Sequence, residues 1–466
     1  MSDIPRTTGK ELKSSRRLGL WAVALAALIF ALVPLLINPS AIMLYVPAAF
    51  YLPKFKLLMY LSAALLVAVL GAALTGARLV RVPVLIPSLA FLGVSALSTL
   101  LSGNIMHSLV GEINRHDGLL SLAAGVLLFY AAARFLDSWA KVRVFLAAGV
   151  ASAVVISIYG ILQQFGLDPV LRMGIPWYVM EPIEGPPGWY LPLGGRSFAT
   201  LGWPLWLAAY LTLMMGAALA LLFRSKARWE NALWLGVALA LMAAAWLYTY
   251  SRGPVLGVAL ALPVVLLLAH RRLGTVKPLL LPLAVMVAAV GAAHLTNINT
   301  ESGANTALGR FDAANLATDA GEIPEGGDAS VATRLLMWRD TIPVIAERPL
   351  LGHGPDNFAE PFARHEGKDL RAFFGEHIVD KAHNELLQVA ATTGLLGLAA
   401  YLWVFVSYFR NACRSGGWPL LTLSGGVLAY ILQLQTAFTT IATGVTFWAI
   451  LGVSVAIMRL QDSQQP

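Results

Sequence analysis

Residues 381–409 read KAHNELLQVAATTGLLGLAAYLWVFVSYF, a short polar start followed by a long, mostly apolar run. About 20 mostly apolar residues suffice to cross a membrane as a helix, and similar runs recur along the whole chain. The sequence is 58% hydrophobic and 12% charged, with a mean hydropathy of +0.70, whereas soluble domains carry roughly 25% charged residues. A bilayer accepts only helices or closed barrels, and these runs are too long for barrel strands. The sequence therefore predicts an all-α, polytopic membrane protein.

The apolar runs predict about 12 transmembrane helices. They cover approximately residues 18–38, 55–75, 83–101, 118–134, 144–164, 200–222, 230–249, 253–269, 278–295, 385–409, 418–440 and 443–459. The first run follows a basic segment, as a signal peptide does, but it is as long as a full span, so we interpret it as an uncleaved anchor. The prediction divides the chain into residues 1–295 with nine spans, a large loop at 296–384, and residues 385–466 with three spans and a short tail.

Lysines and arginines are concentrated in alternate connections, which predicts the orientation of the chain in the membrane. The positive-inside rule places both termini in the cytoplasm and the loop 296–384 on the outer face. The net charge of +8 is explained by basic residues beside anionic lipid headgroups, and it requires no nucleic-acid partner.

The outer loop has two predicted halves. Residues 296–330 are polar and Gly-rich, and we expect them to be mobile. The second half should contain short helices, the first of them at 331–348. Its predicted apolar face carries Leu335, Trp338, Ile342 and Ile345. Pro343 predicts a kink or a fresh helix start, and the Gly- and Pro-rich run after Pro349 predicts a sharp turn.

Two arginines lie where charge is costly. Arg252 stands between two apolar runs, in YTYSRGPVLG, and an arginine at membrane depth costs at least ~2.5 kcal/mol. Arg196 directly precedes the sixth span and ends a segment, 165–196, whose Gly, Pro, Trp and Tyr suit an interfacial or carbohydrate-facing loop. Either arginine could instead simply reach the lipid headgroups, so the residues alone leave function and structure as even alternatives.

Polar residues also gather at the start of the tenth span. His383 opens it, followed by Asn384. A histidine there is more often a capping or solvated residue, yet a neutral imidazole accepts a proton near pH 7. Arg115 has His116 and Asp117 beside it, which favours local pairing. The chain shows no His/Cys ligand pattern for a metal and no glycine loop for a nucleotide.

Four sequence blocks resemble the O-antigen ligase/polymerase superfamily of bacterial envelope glycosyltransferases. The first joins SIYGILQQFG to GGRSFATLGWPLWLAAYL, and the second is SRG at 251–253. The third runs from Trp338 through Pro349 to Phe358, and the fourth is His383-Asn384, nine residues, Gly394, two residues and Gly397. In the first block the family usually has Asn-Pro-Asn, where this chain has Trp203-Pro204-Leu205.

The resemblance implies a GT-C-like fold in the bacterial inner membrane, with the active site on the periplasmic face. The donor would be a glycan linked to polyprenyl diphosphate, and its reducing end would pass to an acceptor hydroxyl without metal or other cofactor. Arg196 and Arg252 would bind the diphosphate, since guanidinium groups suit phosphate oxygens. His383 would be the base and Asn384 would assist it, while Arg115 would be a further donor contact.

Three activities share this superfamily frame and stay open. A ligase transfers the glycan to a lipid A–core sugar, a polymerase to another lipid-linked repeat unit, and a protein O-oligosaccharyltransferase to a hydroxyl side chain. The partners are thus the lipid-linked donor, a glycan, glycolipid or protein acceptor, and the bilayer. The sequence favours the ligase slightly. A 12-span transporter fits less well, because such proteins commonly contain internal repeats and the halves of this chain show none.

Overall fold

The structure is a computed structural model that describes residues 9–38, 48–76, 80–113, 115–165, 167, 196–224, 229–297, 329–374 and 378–463. Within these ranges every regular element is a helix. Two predicted features lie largely outside the described residues: the mobile first half of the outer loop and the aromatic segment ahead of the sixth span.

Sixteen α-helices follow one another in the described part of the chain. They are α1 (Gly9–Leu35), α2 (Ala48–Leu74), α3 (Leu85–Leu100), α4 (Ile105–Val110), α5 (Leu119–Phe135), α6 (Trp139–Gln164), α7 (Pro204–Arg224), α8 (Trp229–Leu247), α9 (Arg252–Leu273), α10 (Lys277–Asn297), α11 (Ala329–Glu347), α12 (Ala359–His365), α13 (Lys368–Phe374), α14 (Glu385–Ser415), α15 (Trp418–Gln433) and α16 (Ile441–Asp462). Short 3-10 turns lie at Ala199–Leu201 and Leu434–Thr436.

The helices confirm the predicted class, an all-α polytopic membrane protein. Eight of those described are long and apolar enough to cross a membrane, and three shorter helices are also apolar. A helix lies at each of the twelve predicted spans. The number of membrane crossings and the likeness to the GT-C fold stay predictions.

The bundle has a buried centre and a loose edge. The apolar stretch of α16 is wholly buried and that of α7 is 83% buried, whereas α9 and α10 bury only 22% and 17% of theirs. Close packing at the centre depends on small residues. A Cβ on Gly452 of α16 would lie 2.7 Å from the carbonyl oxygen of Phe129 on α5, so only glycine lets these helices approach so closely.

Helix α14 is broken and folds back on itself at Gly394. That residue has φ 69° and ψ −179°, a backbone conformation that favours glycine. The Tyr401 hydroxyl lies 3.3 Å from Oε1 of Glu385, although residues 16 apart in a straight helix are separated by about 24 Å. The run predicted as one span at 385–409 is therefore divided, and the long apolar helix begins after Gly394.

The fold-back brings two of the family-like blocks into direct backbone contact. The amides of His353 and Gly354 donate to the carbonyls of Ala391 and Thr392 at 3.1 and 2.8 Å. On the other side of the break, the Leu395 amide donates to the carbonyl of Pro349 at 2.7 Å. These bonds satisfy backbone groups that the interruption of a helix would otherwise leave unpaired.

The second half of the outer loop forms a small cap. A cluster of apolar side chains from α11, α12 and α13 packs against Ala382 and Ala391, which lie on either side of the first turns of α14. Helix α11 continues through Pro343, so of the two predicted alternatives the fresh helix start does not occur, and the kink stays a prediction. Two residues of its predicted apolar face, Leu335 and Ile342, are exposed by 55% and 62%, whereas Ile345 of the same face packs against the cluster.

Residues predicted to be cytoplasmic meet at one end of the bundle. Arg459 of α16 donates to the carbonyl of Ala133 at the end of α5. Arg272 of α9 donates to the carbonyl of Cys413 near the end of α14, at 3.2 Å. We call this the basic end. Helices α9 and α16 begin at the opposite end, which we call the site end.

Candidate functional site

Phe438 is the centre of the site end. It lies in the α15–α16 turn (residues 434–440). The His383 ring meets it edge-on, with 5.2 Å between ring centroids. The Arg115 guanidinium carbon lies 4.8 Å from the ring centroid, and the Lys381 Nζ lies 5.6 Å from it. One aromatic ring thus gathers two cations and the predicted base.

His383 has a strained backbone and a poorly satisfied ring. Its φ is 49°, which is uncommon for a residue with a side chain. Its Nδ1 is buried without a hydrogen-bond partner. Burial lowers the pKa of His383 to about 3, reinforced by the positive charges of Arg334, Arg115 and Lys381. The imidazole is therefore neutral at pH 7, and one of its two ring nitrogens makes no hydrogen bond within the described part of the protein.

Asn384 orients the start of α14. Its Oδ1 accepts a hydrogen bond from the Leu387 amide at 3.1 Å, as an N-cap does. Its Nδ2 donates to the Gln435 carbonyl in the α15–α16 turn, at 3.1 Å. Both ends of the side chain are thus engaged within the protein, an arrangement that fits positioning of His383.

The predicted diphosphate arginines come together where α9 begins. Arg196 donates from Nε to the Thr249 carbonyl at 2.8 Å and from Nη2 to Oγ of Ser251 at 2.9 Å. Ser251 directly precedes Arg252, the first residue of α9. Arg196 is therefore hydrogen-bonded to the segment that directly precedes Arg252.

The start of α9 also lies against the α15–α16 turn. A Cβ on Gly253 would approach Oγ1 of Thr436 to 2.5 Å, so the glycine of the SRG block allows this contact. The neighbouring residue in the turn, Gln435, is the one that Asn384 binds. The turn therefore has the start of α9 on one side and the start of α14 on the other, and it links Arg252 to His383.

Arg334 was missed by the sequence reasoning. It lies on α11, in the cap over α14. Burial and the nearby charge of Arg252 lower the pKa of Arg334, and the charge of Arg334 in turn lowers that of His383. Arg334 is thus within electrostatic range of both predicted site residues. The sequence predicted a helix at 331–348, but nothing in it distinguished this arginine from the other charged residues of the loop.

Arg115 joins the site from the α4–α5 connection, but its charge is shared. Its Nη2 pairs with Asp380 at 2.9 Å, and its guanidinium also faces the ring of Trp206. Its Nη1 is buried without a hydrogen-bond partner. One guanidinium nitrogen is therefore still available to an acceptor atom.

A buried charge cluster supports the segment before His383. Lys381 pairs with Asp356 and lies 3.9 Å from Oδ2 of Asp117. Asp356 also accepts the amide of Glu112 at 2.7 Å. Burial raises the pKa of Asp117 to about 8. Because these residues are far apart in the sequence, nothing in it predicted that they meet.

The N-termini of several helices also lie at the site end. Helices α9 and α14 begin beside the α15–α16 turn, and α16 begins directly after it. Helix α7 joins them, since Nε2 of Gln433 donates to the Leu205 carbonyl at 3.3 Å. Helix N-termini carry partial positive charge and free amides. Arginines and helix ends together favour an anion here. Among the described residues, no His/Cys/Asp/Glu group suited to a metal ion occurs.

The site end of this helical membrane bundle thus holds a neutral histidine, several arginines and the N-termini of helices. Residues 237–402 match the family model described as O-antigen ligase. The match confirms the resemblance to the O-antigen ligase superfamily, so the chain contains an O-antigen ligase domain within a multi-pass membrane protein. The matched region therefore supports a membrane enzyme of the O-antigen ligase/polymerase family.

The matched region covers part of the site. It includes Arg252, Arg334 and His383 but excludes Arg115, Arg196 and the Phe438 turn. No curated protein matches the chain significantly. The assignment of the residues outside 237–402 thus depends on the contacts described above.

Proposed function

We propose that this protein is an O-antigen ligase-like glycosyltransferase. It would move a glycan from a polyprenyl-diphosphate carrier to an acceptor hydroxyl of a lipid A–core sugar. The observation that carries the proposal is the placement of Arg196, Arg252 and Arg334 around helix N-termini, beside a neutral histidine. Such a site has several cations that can bind an anion and one base that can accept a proton from a nucleophile.

The diphosphate would lie between the arginines and the start of α9. Arg196 and Arg252 are the first ligands, because Arg196 is bonded to the residue that precedes Arg252. Arg334 approaches from the cap, and Arg115 has one guanidinium nitrogen left for a phosphate oxygen. Cations aimed at the leaving group stabilise the charge that develops on it in the transition state.

His383 would serve as the general base. The acceptor hydroxyl gives its proton to the imidazole, and its oxygen forms the new bond to the anomeric carbon of the donor glycan. The bond from that carbon to the diphosphate breaks, and the diphosphate leaves with the electron pair. Burial is the main cause of the lowered pKa of His383, and the nearby cations add to it. A bound diphosphate would offset the contribution of the cations, so the base becomes stronger when the donor is present.

We assign the site to the outer face of the bacterial inner membrane. The support is the separation of the two ends of the bundle. Arg272 and Arg459 lie at the basic end, which the positive-inside rule places in the cytoplasm. The site end is opposite, where a lipid-linked glycan would be available after export.

Purified protein incubated with a lipid-linked glycan and each acceptor class in turn tests the proposal. Transfer to a lipid A–core acceptor is expected. Transfer only to a second lipid-linked repeat unit would identify a polymerase, and transfer only to a protein hydroxyl would identify a protein O-oligosaccharyltransferase. Failure with all three acceptors, in protein shown to be folded, would contradict the proposed chemistry.

A further inference from the structure

We propose that the cleft between α9 and α10 holds the part of the donor's polyprenyl chain nearest the diphosphate. This inference depends on the proposed function, since it gives the lipid-linked donor a route from the bilayer to the arginines. It concerns a region of the molecule far from His383 and uses none of the predicted site residues.

The cleft exists because two consecutive helices pack on different neighbours. Helices α9 and α10 are joined only by residues 274–276 at the basic end. From there α9 packs mainly on α15, and α10 packs mainly on α8. The two helices are therefore apart towards the site end, with a cavity of about 130 Å³ between them.

The walls of the cleft accept only an apolar occupant. Val258 and Leu262 of α9 face Leu283 and Met286 of α10 across it. The threonine hydroxyls of its floor are already engaged. Thr212 donates to the Ala208 carbonyl at 2.8 Å and accepts the Trp246 indole N–H at 3.1 Å, while Thr422 donates to carbonyls of its own helix.

The cleft begins on the same helix as the proposed diphosphate site. Val258, the first residue of α9 that lines the cleft, lies six residues after Arg252, a rise of about 9 Å. The isoprene units next to a diphosphate held at Arg252 are long enough to cover this distance around α9. The two helices that form the cleft are also the least buried of the long apolar helices, so a chain can enter sideways from the lipid.

A second apolar groove distinguishes a donor chain from bulk lipid. It lies on the other side of α9, has a volume of about 290 Å³ and reaches Arg272 and Gly417 at the basic end. Bilayer acyl chains would fill both cavities equally. A polyprenyl chain anchored by its diphosphate would occupy the cleft between α9 and α10 in preference.

Photocrosslinking tests this directly. The probe is polyprenyl diphosphate with a diazirine in the isoprene units next to the diphosphate, added to the full-length protein in lipid nanodiscs. We expect crosslinks at Val258, Leu262, Leu283 and Met286 that unlabelled polyprenyl diphosphate suppresses. If suppressible crosslinks are found only in the second groove or on the exposed faces, the cleft does not bind the polyprenyl chain, but the proposed function still holds. If no suppressible crosslinks are found, both the cleft assignment and the proposed donor are contradicted.

Two tryptophan variants on one helix give an independent readout. Leu262 lines the cleft, whereas Leu260 is 61% exposed on the outside of α9. We expect Leu262→Trp to lower kcat/KM for a long-chain donor about tenfold by misplacing the diphosphate, and to change kcat/KM little for a short-chain analogue. Leu260→Trp should affect neither donor. Equal effects of both substitutions would contradict the cleft assignment.

Discussion

The arginines at the two ends of the bundle contrast sharply in what surrounds them. At the basic end, Arg459 and Arg272 donate to carbonyls near the C-terminal ends of α5 and α14. Those helix ends carry partial negative charge. Each arginine there stabilises the helix end that it caps, and the protein needs no ligand to satisfy it.

At the site end the arrangement is reversed. Arg252 is the first residue of α9, at the positive end of the helix, and its charge adds to the effect of burial in lowering the pKa of Arg334. A cation beside a helix N-terminus is repelled by the partial positive charge of that helix end, and a bound anion offsets the repulsion. The arginines at the basic end therefore stabilise the ends of helices, whereas Arg252 is the arginine that we expect to gain most from a bound anion.

The largest expected effect is the loss of activity when His383 at the site end is replaced, compared with His270 at the basic end. His383→Ala should lower kcat for glycan transfer by about 10²–10⁴, the usual contribution of a general base. His270→Ala is the matched control, because His270 is exposed near the basic end of α9. Radiolabelled glycan transfer measures both variants. Normal transfer by a folded His383→Ala protein would end the catalytic assignment.

Replacing an arginine at the site end should lower activity nearly as much, whereas replacing one at the basic end should not. Arg252→Ala and Arg196→Ala are each expected to lower kcat/KM by about 10²–10³, because each removes a charge aimed at the leaving diphosphate. Arg272→Ala, on the same helix as Arg252 but at its other end, should change transfer by no more than its effect on stability. Similar losses in Arg252→Ala and Arg272→Ala would remove the distinction between the two ends.

The pH profiles of kcat and kcat/KM should differ moderately in the position of their acid limbs. In the free enzyme the pKa of His383 is lowered to about 3, so kcat/KM should not fall near pH 6.5 through protonation of this base. Bound diphosphate raises that pKa, so the acid limb of kcat should lie at higher pH than that of kcat/KM. Coincident limbs in the two profiles would contradict this coupling between donor and base.

The same lowered pKa affects folding. Because the folded pKa of His383 lies below the ordinary value of 6.5, the unfolded chain binds the proton more readily. The contribution of this residue to stability is therefore present above pH 6.5 and is lost as the pH falls towards 3. Thermal unfolding of His383→Ala should depend less on pH over this interval than that of the unaltered protein.

The smallest effect is on the stability of the ligand-free protein, and it should be greater at the basic end than at the site end. Arg459→Met removes a charged hydrogen bond to the Ala133 carbonyl and should lower the free energy of unfolding by about 1 kcal/mol. Arg252→Met removes a cation from a helix N-terminus together with the contacts that Arg252 makes within the protein, so it should lower this free energy by less than Arg459→Met does, by about 0.5 kcal/mol. Scanning calorimetry in detergent compares them, and a large destabilisation by Arg252→Met would mean a structural arginine.

Much of the architecture was predictable because apolar length is a strong signal. The runs along the chain located the membrane helices, and the charge pattern separated Arg272 and Cys413 from the site residues. The fold-back at Gly394 was not predicted, since a reversal within an apolar run needs no charged break.

The site itself was predictable in part. The family-like blocks pointed to Arg196, Arg252 and His383, but nothing in the sequence marked Phe438 among 19 phenylalanines or Arg334 among the loop arginines. Their importance comes from contacts between distant segments. Such contacts are set by the packing of the cap on α14 and of the α15–α16 turn, which no local pattern encodes.

The central claim is that the site-end arginines hold a lipid-linked diphosphate. The most direct measurement is the thermal stabilisation of the purified protein by polyprenyl diphosphate, compared with polyprenol, which has the same chain and no charge. Polyprenyl diphosphate should raise the Tm, polyprenol should not, and the Arg196→Ala/Arg252→Ala double variant should lose the difference. Equal stabilisation by both lipids, or an unchanged difference in the double variant, would contradict the account.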